Sequence, residues 1–238
     1  MNDFFSFPGL IPWVAVAVAG LYLVGGRFAI AGSDRKHANY RAGALAQRLG
    51  LNLVAGDPSF NVFIRYANAH VRRGPSDKRP LHIELRAEGA PQGVPLEFVY
   101  LHRVEQDSGF AEVTRRNWFD CHLSAKARQP FPPFEVVSRD APVGIIAQTL
   151  ALPPTPTGNP TVDAAYLVTT EEPAMARVLG ELLPGFATYQ SVGVHLVGDG
   201  NTISFVMQQD KAPLVASVLY YAEQLSPLVS QVARRLGG

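Results

Sequence analysis

The hydrophobic pattern divides the chain into two unequal parts. From Phe4 to Gly26 there are 23 residues without one Asp, Glu, Lys, Arg or His. As a helix rising about 1.5 Å per residue such a run reaches ~35 Å, enough for a hydrocarbon core of about 30 Å. It predicts one transmembrane helix. Pro8 and Pro12 suit an irregular first turn, where a missing N–H has no partner to lose. Trp13 and Tyr22 lie near its two ends, where amphipathic rings favour the interface. A cleaved signal peptide is the first competing reading, since Ala29-Ile30-Ala31 before Gly32 resembles a cleavage site. The start of the chain, however, carries Asp3 and no Lys or Arg ahead of the apolar run. A buried core helix is the second competitor, but a terminal core helix would usually show a polar face.

The remaining chain alternates between helical and strand periods. Asp34 is placed to cap a helix over 35–49, with Tyr40, Ala44, Leu45 and Leu49 as its buried stripe and Gly50 as its stop. Residues 51–54 read as a short strand. Asp57-Pro58 predicts a second helix start, with Phe60, Phe63, Ala67 and Val71 on one face. Period-two alternation then marks strands through Leu81–Arg86, Leu96–Tyr100 and Phe110–Leu123, and local pairing of these would give an antiparallel meander. Pro153, Pro154, Pro156 and Pro160 with Gly158 read as a stiff connection. Gly198-Asp199-Gly200-Asn201 separates 192–197 from 202–207 as a hairpin. Three times a short apolar strand is followed by an acid, a proline and a helical pattern: Phe134–Val137 with Asp140 and Pro142, Tyr166–Val168 with Glu171, Glu172 and Pro173, and Phe205–Met207 with Asp210 and Pro213. Acid and proline at a helix start satisfy loose N–H groups and the helix dipole. The same capping physics could produce three such units without a true internal repeat. The last helix should carry Leu214, Val218, Leu225, Val229, Val232 and Leu236 on one side and bend at Pro227. The expected fold class is α+β: one transmembrane helix, then antiparallel sheet in two lobes with covering helices. The expected divisions are an anchor at 1–31, a first lobe at 32–151, a proline-rich connection at 152–160 and a second lobe at 161–238.

Charge adds orientation. No basic residue precedes the apolar run, whereas Arg27, Arg35, Lys36, Arg41 and Arg48 follow it. Basic flanks stay in the cytoplasm. The expectation is an inner-membrane protein with its amino terminus outside and its carboxy-terminal domain cytoplasmic. A single cysteine, Cys121, excludes an internal disulfide and suits that reducing compartment. With 21 basic and 20 acidic residues the net charge is +1, so no large field invites nucleic acid. Inside the apolar run Ala15, Ala19, Gly20, Gly25 and Ala29 form a small-residue face on which another helix could approach closely. Arg35, Lys36, Arg72, Arg73, Lys78 and Arg79 could meet anionic lipid head groups, each worth about 1 kcal/mol at such a surface.

Catalytic and metal motifs are sparse. Cys121 and His122 are adjacent, so on a strand they point to opposite faces. There is no CxxC, HExxH, GxGxxG, GK[ST] or Gly-x-Ser-x-Gly element. No catalytic residue, metal or cofactor is expected. The competing enzyme reading is a membrane-tethered hydrolase or transferase built from Cys121, Asp120 and a strand histidine, His82 or His102. A third is a lipid or small-molecule sensor with a pocket between the lobes.

Three stretches, Ala44-Leu45-Ala46-Gln47-Arg48-Leu49-Gly50-Leu51, Phe134-Glu135-Val136-Val137 and Ala176-Arg177-Val178-Leu179, resemble a poorly characterised group of bacterial single-span membrane proteins, many from actinobacteria. They cover a small part of the chain, and the resemblance implies no catalytic residues. It does imply an accessory subunit of a larger inner-membrane assembly. Mycobacterial lipid importers of the mammalian-cell-entry type are similar to the host complex this suggests, although no motif points to them. The leading expectation is therefore a non-enzymatic accessory or scaffold subunit that docks on such a complex, a transporter for example, by its helix and its cytoplasmic domain.

Overall fold

The computed structural model describes residues 43–56, 58, 60–64, 81–108, 113–139, 153–192, 194–209 and 215–237. All of these fall in one compact unit, Arg41–Gly238. The apolar run Phe4–Gly26 lies outside the described residues, and among those described no helix is long and apolar enough to cross a membrane.

The body opens with α1 (residues 43–48), which ends as its sequence requires. Gly50, at φ 72°, takes the left-handed conformation that a Cβ would oppose. Its N–H reaches the Gln47 carbonyl at 3.0 Å and the Leu51 N–H reaches Ala46 at 2.8 Å. That is the paired closure that satisfies the last carbonyls of a helix. The chain then enters β1 (Asn52–Leu53), a two-residue edge strand. Asp57, expected to cap the next helix, lies outside the described residues. Among those described, Asn61 Oδ1 accepts from the Ile64 N–H at 3.0 Å, and a helical turn starts at Val62. A short amide side chain there satisfies a loose N–H of the first turn.

The meander forms as the alternation predicts. It consists of β2 (Leu81–Gly89), β3 (Leu96–Ser108) and β4 (Val113–Lys126), joined in antiparallel register with Leu101 opposite Asp120 and Tyr100 opposite Cys121. The later strands are β5 (Phe134–Ser138), β6 (Tyr166–Thr170), β7 (His195–Asp199) and β8 (Thr202–Gln209). The β7–β8 hairpin turns at Gly200-Asn201, with Gly200 at φ 64°.

Strands from both expected lobes share one antiparallel eight-stranded sheet, in the order β1-β2-β3-β4-β8-β7-β5-β6. The join is β4 with β8, eight residue pairs from Phe119–Gln209 to Lys126–Thr202. Two strands so long and so apolar on one face bury more by pairing than by ending separate sheets. The proline-rich stretch also differs from a plain connection. Pro154 bridges to Thr169, and Pro160 opens α2 (Pro160–Ala165) with Asn159 as its cap. Asn159 Oδ1 accepts from Thr161 and Val162, while its Nδ2 donates to the Gly180 carbonyl at 3.0 Å. Proline at the first helical position loses no hydrogen bond.

Helices cover one sheet face. α3 (Pro173–Leu182) follows Glu171 and Glu172 where the acid–proline pattern places a helix, although the Glu172 side chain makes no capping hydrogen bond, and it buries Met175, Ala176, Leu179 and Gly180. A 3-10 stretch, Leu183–Val192, links it onward. α4 (Val215–Leu236) packs on β4 and β8 with Ala222, Leu225, Val229, Val232 and Ala233 buried along one stripe. Pro227 lies inside it on the exposed side. Below these helices Phe98, Leu123, Phe205, Leu196, Phe134 and Val136 form the apolar floor. The helical pattern expected after Pro142 lies outside the described residues.

Candidate functional site on the polar face of the sheet

Strand alternation sends every second side chain to the face away from α4, and on this face the chemistry collects. β3 contributes Glu97, Val99 and Leu101. β4 contributes Asp120, His122 and Ser124, β8 contributes Ser204 and Val206, β7 His195 and Val197, and β5 Glu135. These positions are not solvated. Glu97, Asp120, His122, Ser124, Glu135 and Ser204 are all buried.

Residues 60–64 lie over them. The Val62 N–H donates to Ser204 Oγ at 2.9 Å, and Ser204 Oγ is 2.8 Å from Ser124 Oγ. The Phe60 N–H reaches Glu97 Oε2 at 3.4 Å. Val62 and Phe63 cluster with Val197 and Val206, and Ile64 with Val99, Leu101 and Ile83. The helix start at Asn61 aims two of these backbone donors at sheet side chains.

Two histidines flank the centre. His122 on β4 and His195 on β7 both pair with Val206, one on each side of β8. Two strand spacings set their Cα atoms about 10 Å apart. The Phe63 ring stands between them, with its centroid 5.7 Å from His122 and 4.7 Å from His195. Both contacts are near-perpendicular, at 83° and 77°, the edge-to-face geometry that ring quadrupoles favour. Each imidazole has a carboxylate. His195 Nε2 is hydrogen-bonded to Glu135 Oε1 at 2.8 Å. His122 Nε2 lies 4.0 Å from Asp120 Oδ2, and neither His122 nitrogen makes a hydrogen bond among the described residues.

At the β2 end the same face holds a buried ion pair. Arg86 Nε donates to Glu97 Oε1 at 2.9 Å, its Nη1 to the Ala55 carbonyl at 3.3 Å, and its Nη2 pairs with Glu88. Burial works against the Arg86 charge, but Glu97 and Glu88 outweigh it and the guanidinium is held charged more firmly than in water.

Cys121 belongs to the other face. It is fully buried under the helix layer, and burial, with Asp120 as a secondary cause, pushes its thiol well above the ordinary range. A thiol in such surroundings is a small hydrophobe rather than a nucleophile. Asp120 and His122, its chain neighbours, project from the opposite side of the sheet, so the Cys121–Asp120 constellation is not assembled. His82 and His102 face one another in the β2–β3 register, and His102 pairs with Phe119. Among the described residues no group of three His, Cys, Asp or Glu side chains could hold a metal ion. Phe63 fills the space in which the two imidazole–carboxylate pairs would have to converge.

The residues expected to dock a partner helix, Ala15, Ala19, Gly20, Gly25 and Ala29, lie outside the described residues. So do Arg35, Lys36, Arg72, Arg73, Lys78 and Arg79, expected at a membrane surface. Sequence reasoning missed Phe63 as the meeting point of two histidines, and Arg86 with Glu97. The available signal was the polar half of the β3 and β4 alternation, Glu97, Asp120, His122 and Ser124.

No protein-family model matches the chain, and no curated protein matches it. Solved structures are similar in part. The crystal structure of the mycobacterial trehalose monomycolate transport factor A, TtfA, overlays with a TM-score of 0.40 at 9% sequence identity, covering 81% of this chain and 94% of that one. A likeness at that level carries no argument about what this chain does.

Proposed function

We propose that the protein is a non-enzymatic accessory subunit of a larger inner-membrane assembly, for example a transporter such as a lipid importer. The observation that carries this reading is the uncharged run Phe4–Gly26, followed by Arg27, Arg35, Lys36, Arg41 and Arg48 and then by a folded α+β body. An apolar stretch of that length partitions into a bilayer, and its basic trailing flank keeps the body in the cytoplasm. Helix and body then supply two linked contacts, so that neither has to bind tightly alone. Arg35, Lys36, Arg72, Arg73, Lys78 and Arg79 add attraction to anionic head groups.

Accessory rather than catalytic work is favoured by the fate of the chemical groups in the body. The thiol sits in the core with its ionisation suppressed. Glu97 is spent on Arg86, and Glu135 on His195. The test is replacement of Ala15, Ala19 and Gly25 by leucine in the full chain. The expected outcome is loss of partner subunits from gently solubilised complexes on blue-native gels, with subunit composition read by mass spectrometry. Complexes of unchanged composition would remove the helix-docking reading.

A further inference from the structure

One corner of the sheet gathers prolines that the reading above does not use. Pro130 and Pro132 lie in the segment before β5, and Pro153, Pro154 and Pro156 in the segment before α2; all five are exposed. Thr170, the last residue of β6, joins the two segments. Its Oγ1 donates to the Pro133 carbonyl at 2.9 Å, and its own carbonyl accepts from Thr155 Oγ1 at 2.9 Å. Proline fixes its own φ at about −65°, and a residue before proline is pushed to extended conformations. Gln129, Phe131, Pro132, Pro153 and Thr155 each precede a proline, and neither 130–133 nor 153–157 is helical. The covalent chemistry thus holds both segments in an extended, polyproline-II course with three residues per turn.

That period sorts the residues of the second segment. Thr155 is turned to the sheet, where its N–H donates to the Val168 carbonyl at 2.7 Å beside the Pro154–Thr169 bridge. Pro153 and Pro156, three apart, share an outward edge. The far end is anchored too. Thr157 is buried, and its N–H and Oγ1 both donate to Asp163 Oδ1, at 2.9 and 2.8 Å. A Cβ on Gly180 would lie 2.9 Å from Thr157 Cβ, so α3 packs directly against it. In the first segment the buried Phe131 holds the chain, its N–H donating to the Gly200 carbonyl at 2.8 Å. A ridge whose backbone is held in its binding shape loses little entropy on docking. Protection of an open sheet edge accounts for Pro154, but not for Pro153 and Pro156 on the outer side, nor for Pro130 and Pro132.

We propose that this ridge docks in a groove of a partner protein lined by Trp and Tyr side chains. What the ridge can offer names the occupant. Proline donates no hydrogen bond, and the Thr155 N–H is spent on β6, so 153–156 cannot pair with an added strand, which needs donors. Pro154 is bridged to Thr169 next to that bond, so its carbonyl points away from β6 as an acceptor. Pyrrolidine rings with an outward carbonyl fit aromatic faces that carry an indole N–H or a phenol O–H. The charged groups at the anchors are Asp163 and Arg139, with Glu171 and Glu172 directly after Thr170. That acidic excess disfavours a phosphate-bearing lipid or nucleic acid. The inference does not rest on the membrane-helix reading and survives its failure.

The test places a p-benzoylphenylalanine photo-crosslinker at Glu171, exposed beside Thr170, in the full chain in living cells. After irradiation the adduct is purified and the joined peptide is sequenced by mass spectrometry. The expected result is an adduct with another protein at a segment bearing Trp or Tyr. Pro153→Ala/Pro156→Ala should reduce the adduct by about tenfold, the size expected from losing packed anchors. Pro95→Ala, an exposed proline in the β2–β3 connection on the far side of the sheet, should leave it unchanged. The proposal is overturned if no adduct forms, if the double variant matches the Pro95 variant, or if the joined segment has neither Trp nor Tyr. An adduct with a phospholipid or with a second copy of this chain names a different occupant and also overturns it. Should the double variant lose its circular dichroism, Pro156→Ala alone is read in its place.

Discussion

Phe63→Ala is the most direct probe of the polar face. The ring is 1% exposed and touches both histidines, Val62, Val197 and Val206. Truncating a buried Phe to Ala costs about 3–5 kcal/mol, the spread reflecting how far the surroundings collapse. Collapse is restricted here. The Val62 N–H is tethered to Ser204, and His195 is held by Glu135, so neither wall can close over the gap. That range already contains the two edge-on ring contacts, worth about 0.5–1.5 kcal/mol each. The expected destabilisation is about 4 kcal/mol, a large share of the roughly 5–15 kcal/mol that holds a domain together. Guanidinium unfolding of the full chain in non-ionic detergent, followed by far-ultraviolet circular dichroism, measures it. Phe63→Leu, which keeps much of the volume, should cost about 1–2 kcal/mol. If Phe63→Ala costs less than about 1 kcal/mol, residues 60–64 are not seated on the sheet and the account of this face is wrong.

Two further outcomes follow from buried charge. Glu97→Gln leaves Arg86 paired only with Glu88 and should cost about 3 kcal/mol in the same unfolding assay, the low end for a broken buried pair; a neutral result would mean that the pair is solvated. Raising the pH should destabilise the fold. In the unfolded chain Cys121 loses its proton near pH 8.5–9 and tyrosines near 10, whereas in the fold burial pushes Cys121 well up, Tyr166 to about 12 and Tyr100 higher still. The folded state therefore holds protons that the unfolded state releases. Stability should be level below about pH 8.5 and fall above it, first through Cys121 and then through the tyrosines. Unfolding free energies between pH 7 and 11 check this, and Cys121→Ala should delay the fall to about pH 10.

How much of this was legible depends on whether a signal was local. Gly50 as a helix stop, proline after an acid at the start of α3, and the two-residue turn at Gly200-Asn201 are decided within a few residues, and the structure has all of them. The meander was legible for the same reason, since β2, β3 and β4 are neighbours in sequence. The pairing of β4 with β8 was not. Nothing in Phe119–Lys126 names Thr202–Gln209 as its partner, because long-range pairing is set by which faces can be buried together. Asn159-Pro160 was not legible as a helix start for a related reason. Proline suits a stiff connection and a first helical turn equally, and the deciding contact is Asn159 to Gly180, across 21 residues.

The polar face shows where pattern reasoning misleads. Leu96-Glu97-Phe98-Val99 and Asp120-Cys121-His122-Leu123-Ser124 read as half-buried strands with a solvated side. In the fold both sides are buried, so each polar group on the covered side requires a partner or costs stability. Most have one: Glu97 has Arg86, Ser124 has Ser204, Ser204 has the Val62 backbone, and Glu135 has His195. His122 is the exception on its nitrogens, and it is covered by a phenyl edge instead. A sheet face that needed only to bury area would have used Val and Leu at these positions. Polar partners instead fix which segment covers the face and in what register, because a one-residue slip of Val62 would strand both serines. On that argument Ser204→Ala/Ser124→Ala, which removes both serine hydroxyls but leaves the Val62 N–H without its acceptor, should cost more in uniqueness of the 60–64 segment than in total stability. Hydrogen exchange at the Val62 and Ile64 amides would reveal that loosening before any shift in the unfolding midpoint.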